Sequence, residues 1–120
     1  MTLPRHRPVP GIFATTRPGL AAGKPFVFTT RGSVRGPSWI PGVYDCHGDV
    51  TVRFLLGARR IGSTLLPLGP RCGFSGRTVF THLPGHGRLH PPVTLTVRVR
   101  FAGNGYLTPR RASTETVTLG

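Results

Sequence analysis

Acidic side chains are almost missing from this chain. Three aspartates and glutamates stand against sixteen basic residues in 120 positions, for a formal net charge of +13. With only Asp45, Asp49 and Glu115 available, few carboxylates can orient a catalytic histidine or back the ligands of a metal. Long apolar runs are missing too. No stretch approaches the roughly 20 apolar residues that cross a bilayer as a helix, so no integral membrane segment is expected. The opening Met1-Thr2-Leu3-Pro4-Arg5-His6-Arg7-Pro8 lacks the apolar core of a secretion signal, and no leader is expected in this chain. Lysine is scarce: all the basic residues but Lys24 are arginine. There are two cysteines, two tyrosines and one tryptophan.

Glycine and proline, by contrast, are abundant at 17 and 13 residues. Each breaks or loosens a helix interior, so long helices are disfavoured. Their spacing is too irregular for collagen, and patterned runs between them argue against wholesale disorder. The length suits one domain with a modest core.

The decisive run is Val93-Thr94-Leu95-Thr96-Val97-Arg98-Val99-Arg100-Phe101, apolar at every odd position and threonine or arginine at every even one. Side chains of an extended strand point alternately to opposite faces, so one face is buried and the other wet. A helix of period 3.6 cannot place the five apolar residues on one side. Turn chemistry follows over Ala102–Pro109, and Thr114–Leu119 alternates again. Further strands are expected over Lys24–Val34, Gly48–Leu55, Arg60–Leu66 and Cys72–Phe80, with a bulge at Gly76. Such a rhythm belongs to an all-β sandwich or barrel. Residues 1–23, with Pro4, Pro8, Pro10 and Pro18, are expected to be a flexible Pro/Arg-rich linker or arm on which Phe13 is the candidate contact to a domain spanning 24–120.

Parity bears on the cysteines. Cys46 shares a face with Val50, Val52 and Phe54, and Cys72 shares one with Phe74 and Phe80. Both thiols therefore point inward at strand starts, where facing strands can join them. A disulfide would close a loop of about 27 residues, worth about 3.5 kcal/mol on the chain-entropy model. Two separate buried thiols acting as small hydrophobes are the alternative.

Candidate chemistry is thin. His82, His86 and His90 stand four apart, a metal-binding spacing on a helix, but Pro84, Gly85 and Gly87 make a helix improbable there. Solvated loop histidines are expected, with no metal and no cofactor. A mixed Cys46, His47 and Cys72 metal site would need reduced thiols. A catalytic set of Cys46, His47 and either Asp45 or Asp49 can be drawn, but parity sends Cys46 inward and His47 outward. No enzyme is expected. Gly103-Asn104-Gly105 precedes Tyr106-Leu107-Thr108-Pro109 rather than a helix, so it is a turn and not a phosphate cradle.

The arginines are the best functional candidates. Arg98 and Arg100 project from the wet face of the longest strand and Arg53 from another, while Arg110 and Arg111 sit at a connection, as do Arg59 and Arg60. Converging, they would form a positive surface for phosphates or carboxylates. Nucleic acid, anionic lipid and anionic polysaccharide are the candidate partners. Aromatics are not interleaved with them, since the phenylalanines have core parity, which argues against a base-stacking platform. The codon usage of a high-GC genome would yield the same arginine bias without selection for binding.

The segment Val99–Pro109, then Ala112-Ser113 and Val117-Thr118-Leu119, resembles the closing hairpin of bacterial Ig-like domains. The stretch Cys46-His47-Gly48-Asp49-Val50-Thr51-Val52-Arg53-Phe54, with Gly57, Arg59, Cys72, Phe74 and Val79-Phe80 after it, is similar to versions found as repeats in exported proteins of high-GC bacteria. The resemblance covers roughly residues 24–120. It implies an Ig-like antiparallel sandwich of about seven strands, serving outside the cell or on its surface as a stalk, spacer or adhesive module beside neighbouring domains. Such domains share no catalytic residues. The alternative function is a basic nucleic-acid- or polyanion-binding protein.

Overall fold

The longest alternating run forms the central strand of the larger of two sheets. A computed structural model of the protein describes residues 7–41, 46–81 and 92–120. In chain order the strands are β1 (Gly11–Arg17), β2 (Leu20–Ala21), β3 (Phe26–Arg35), β4 (Asp49–Leu56), β5 (Arg59–Pro67), β6 (Gly73–Phe80), β7 (Val93–Phe101), β8 (Arg110–Arg111) and β9 (Glu115–Leu119). No helix occurs among the described residues. One sheet has the order β1-β3-β6, the other β2-β9-β7-β4-β5, with β8 also on β7. Every pairing is antiparallel except that of β2 with β9. The all-β sandwich expected from the alternation is therefore the fold.

Each sheet turns its apolar side chains toward the other. Val93, Leu95, Val97, Val99 and Phe101 of β7 are buried against Val50, Val52 and Phe54 of β4 and Val117 and Leu119 of β9. Across the interface β3 contributes Phe26, Phe28 and Val34, and β6 contributes Phe74. Phe28, Phe54 and Phe80 meet with centroids 5.4 to 6.3 Å apart, tilted or edge-on, joining β3 and β6 of one sheet to β4 of the other. Aromatic rings prefer such geometry to a face-to-face sandwich.

Two expectations are corrected. Residues 11–17 are a full edge strand of the smaller sheet, with Gly11 opposite Arg35 and Arg17 opposite Thr29. The prolines bound this strand instead of dissolving it: Pro10 and Pro18 lie just outside, and the run between them can donate every backbone N–H. Its parity puts Ile12 and Ala14 against the core and leaves Phe13 68% exposed on the outer face, so Phe13 does not dock. The backbone N–H of Thr16 donates to Glu115 Oε2 at 2.8 Å, and the Thr16 and Thr30 hydroxyls meet at 2.9 Å. The bulge expected at Gly76 is absent. Gly76 lies in regular register opposite Thr30, and a Cβ there would come within 2.4 Å of the Leu66 side chain. Packing, not backbone irregularity, explains this glycine. The register shift falls instead between Phe54 and Leu55 on β4.

The two ends of the sandwich are closed differently. At the end where β7 finishes, Cys46 and Cys72 form a disulfide with Cα atoms 4.5 Å apart. It ties the approach to β4 in one sheet to the approach to β6 in the other. Beside it, the Asn104 side chain organises the turn after β7. Its Oδ1 accepts from the N–H groups of Tyr106 (2.7 Å) and Leu107 (2.8 Å), and its Nδ2 donates to the His47 carbonyl at 2.8 Å. Gly103 precedes it with φ of 84°, where a Cβ would press within 2.9 Å of Pro109. The turn thereby drops Leu107 into the core, fully buried.

Pro8 and Gly120 lie at opposite ends of the sandwich. Thr108 N–H donates to the Pro8 carbonyl at 3.0 Å beside that turn, whereas Gly120 N–H donates to Ala21 at 2.8 Å, where β7 begins. The length of β7, about 27 Å at 3.3–3.4 Å per residue, lies between them.

Two stability outcomes follow. Replacing both cysteines with alanine is expected to cost about 3.5 kcal/mol in denaturant unfolding, since the bridged residues are 26 apart in sequence. A midpoint unchanged by reduction would contradict the staple. Asn104→Ala is expected to cost about 2 kcal/mol by orphaning two N–H groups, and Asn104→Asp less because an acceptor remains. Equal losses in the two variants would show that Oδ1 is not what seats the turn.

Candidate anion-binding face

Pairing register decides which arginines meet. On the outer face of the larger sheet Arg53 of β4 lies directly opposite Arg98 of β7, and Arg100 of β7 lies opposite Arg111 of β8. Thr51, opposite Arg100, separates the two pairs along β4. All four arginines are exposed. They line one depression of about 230 Å³ together with Thr51, Leu55 and Thr114. Leu55 has outward parity yet is only 7% exposed, so it forms an apolar floor beneath the longer side chains. Long arginine stems cover such surface while the guanidinium stays in water.

Of the five arginines expected to act together, the structure gathers Arg53, Arg98, Arg100 and Arg111. Arg110 is separated from them. It lies opposite Phe101 rather than Arg100, and its Nη1 donates to the Pro10 carbonyl at 3.2 Å. Consecutive residues on a strand face opposite ways, so Arg110 and Arg111 cannot serve one face. Arg59 and Arg60 open β5 opposite Leu56 and Leu55 and do not line the depression.

The electrostatics of this face are unfavourable by design or by composition. Opposed residues of an antiparallel pair have Cβ atoms about 5 Å apart, and like charges there destabilise the pair. Two such pairs sit side by side. Glu115 is turned away from them toward β1, as its bond to Thr16 shows. Of the two described acidic residues, Asp49, at the start of β4, shares the parity of Thr51 and Arg53. A bound polyanion would relieve this repulsion. Each guanidinium offers a planar fork of donors suited to carboxylate, sulfate or phosphate oxygens.

Other sequence candidates resolve differently. Because Cys46 is bonded to Cys72, it offers no thiolate for a Cys–His–Asp set with His47 or for a mixed metal site. Among the described residues no group of three or more His, Cys, Asp or Glu could hold a metal ion. His82, His86 and His90 lie outside the described residues, as does Asp45. Arginines of the smaller sheet escaped the sequence analysis altogether. Arg17 on β1, Arg31 and Arg35 on the middle strand β3, and Arg77 on β6 are all exposed on its outer face. Their signal was present in the alternation of Phe26, Phe28 and Thr30 against Arg31, but the edge strand carrying Arg17 was hidden among prolines.

No protein-family model matches the chain, and no curated protein matches its sequence.

The opposed arginines should be visible in stability alone. Arg98→Thr is expected to raise unfolding free energy by a few tenths of a kcal/mol in 10 mM salt, and the gain should vanish in 0.5 M salt as screening removes the repulsion. A salt-independent change would mean that the pair does not interact electrostatically.

Proposed function

We propose that this protein is a non-catalytic, Ig-like structural and adhesive module of an exported or cell-surface protein, contacting anionic polymers through its arginine-rich face. The observation that carries the contact is the registered quartet Arg53, Arg98, Arg100 and Arg111 lining one depression. Among the described residues its lining holds four arginines and no carboxylate.

Support for the Ig-like part comes from strand order. Of the seven strands with five or more residues, the first, second and fifth form one sheet, and the seventh, sixth, third and fourth run in order across the other. That partition suits a Greek-key sandwich of the Ig kind. Support for the stalk role comes from the opposite placement of Pro8 and Gly120, which lets neighbouring domains continue along one axis. Support for an exported location comes from the Cys46–Cys72 bridge, because disulfides persist in oxidising compartments. Among the described residues no helix is long and apolar enough to cross a membrane.

A second function is favoured by the same quartet: binding of nucleic acid through its phosphates. Salt titration on separate polymers tests both. The protein is expected to bind immobilised dextran sulfate at 50 mM sodium chloride and to lose affinity steeply as salt rises, because contacts to a polyanion release condensed counterions. Charge reversal of Arg98 and Arg100 to glutamate should weaken binding and flatten the slope of log affinity against log salt by about two contacts. Retention on double-stranded DNA but on no anionic glycan would transfer the function to the second account. No binding to either polymer at low salt would overturn the adhesive role.

A further inference from the structure

The smaller sheet presents a second basic surface on the opposite side of the sandwich. Register places Arg17 of β1, Thr29 of β3 and Arg77 of β6 in one row across the three strands. The adjoining row is Thr15, Arg31 and Ser75, and the next is Phe13, Ser33 and Gly73. With strands about 4.8 Å apart, Arg17 and Arg77 are roughly 10 Å apart at Cα, and Arg31 lies about 7 Å along the middle strand from their row. None of the chain's three acidic residues lies on β1, β3 or β6. A depression of about 520 Å³ opens between Arg17 and Arg31, lined also by Thr15, Pro18 and Thr29.

Three features separate this surface from a merely solvated sheet face. Its cations form a triangle around hydroxyl side chains, so charged and neutral donors alternate at the spacing of adjacent strands. Phe13, opposite Ser33 and one row along from Arg31, stands 68% exposed, where an aromatic ring gains nothing by folding. Val79, at the far edge, is 47% exposed. A flat apolar ring beside guanidinium and hydroxyl groups suits a sugar polymer that carries acid groups: C–H faces of the sugar rest on the ring, sugar hydroxyls meet threonine and serine, and acid groups meet arginine.

We infer that the outer face of the three-stranded sheet, centred on Arg17, Arg31, Arg77 and Phe13, is a second site for anionic polysaccharide, so that one module bridges two polymer chains. This rests on the proposed role as a polyanion-contacting surface module. The two outer faces point in opposite directions because the core lies between the sheets, and the two depressions have no lining residue in common. The disulfide favours glycan over nucleic acid as the occupant, since the bridge belongs to oxidising, extracellular surroundings.

A bridging experiment tests this. Beads carrying dextran sulfate, or separately polygalacturonate, are loaded with protein, washed, and offered the same polymer in fluorescent form; the two probes distinguish sulfate from carboxylate as the acid group. Wild-type protein is expected to capture the label. The triple variant R17E/R31E/R77E should remain on the beads through the other face yet capture at least tenfold less label, and R53E/R98E/R100E should behave likewise. R59E/R60E/R71E removes as much charge and should capture label as the wild type does. In the R53E/R98E/R100E background, Phe13→Ala should weaken glycan binding severalfold without changing its salt slope. Undiminished capture by R17E/R31E/R77E, or an equal loss in the charge-matched control, would overturn the second site while leaving the first intact. Wild-type protein that binds neither glycan would overturn the proposed function itself. Binding of single-stranded DNA but no glycan by R53E/R98E/R100E would overturn the choice of occupant.

Discussion

Two sheets with one apolar face each can hide those faces only against one another, and both the stability and the surface chemistry of this protein follow from that. Once Val97, Val99 and Phe101 are turned inward and buried, Arg98 and Arg100 have no direction left but outward. The alternation that builds the core therefore also builds the charge. The same holds on the other side, where burial of Phe28 and Thr30 obliges Arg31 to face solvent. Charge on both outer faces is the inevitable partner of a core between them in a chain so poor in acidic residues.

What is not inevitable is where the arginines fall relative to one another. A shift of one residue in the pairing of β4 with β7 would move Arg53 from Arg98 to a buried valine and dismantle the cluster. That register is held at one end by the Asn104 turn and the Cys46–Cys72 bridge, and toward the other by the Phe28–Phe54–Phe80 triad. The closures are of different kinds. One is covalent and hydrogen-bonded and the other purely apolar, so reduction should loosen the first without touching the second.

Much of this was legible in the residues. Period-two segregation over Val93–Phe101 and Gly48–Leu55 identified strands and their inward faces. Cys46 and Cys72 do pair, but both lie just outside β4 and β6, where φ of 111° at Gly48 and 61° at Cys72 breaks the alternation, so loop conformation rather than strand parity brings them together. The edge strand Gly11–Arg17 was not legible, because flanking prolines carry the same signal in a flexible arm as at the boundaries of a short strand. Gly76 misled for a related reason: a glycine in a strand marks either a bulge or a close neighbour, and only the position of Leu66 tells which. Arg110 and Arg111 looked equivalent until β8 gave them opposite faces.

Local pattern by itself determined the all-β class, the inward residues of the main strands and the outward direction of Arg53, Arg98 and Arg100, since each depends only on a residue's neighbours along an extended backbone. Tertiary structure alone decided which strands are adjacent, and with that the opposition of Arg53 to Arg98, the loss of Arg110 from the cluster and the row joining Arg17 to Arg77. Those are relations between segments far apart in the chain. No period within one strand can encode the register of another laid beside it.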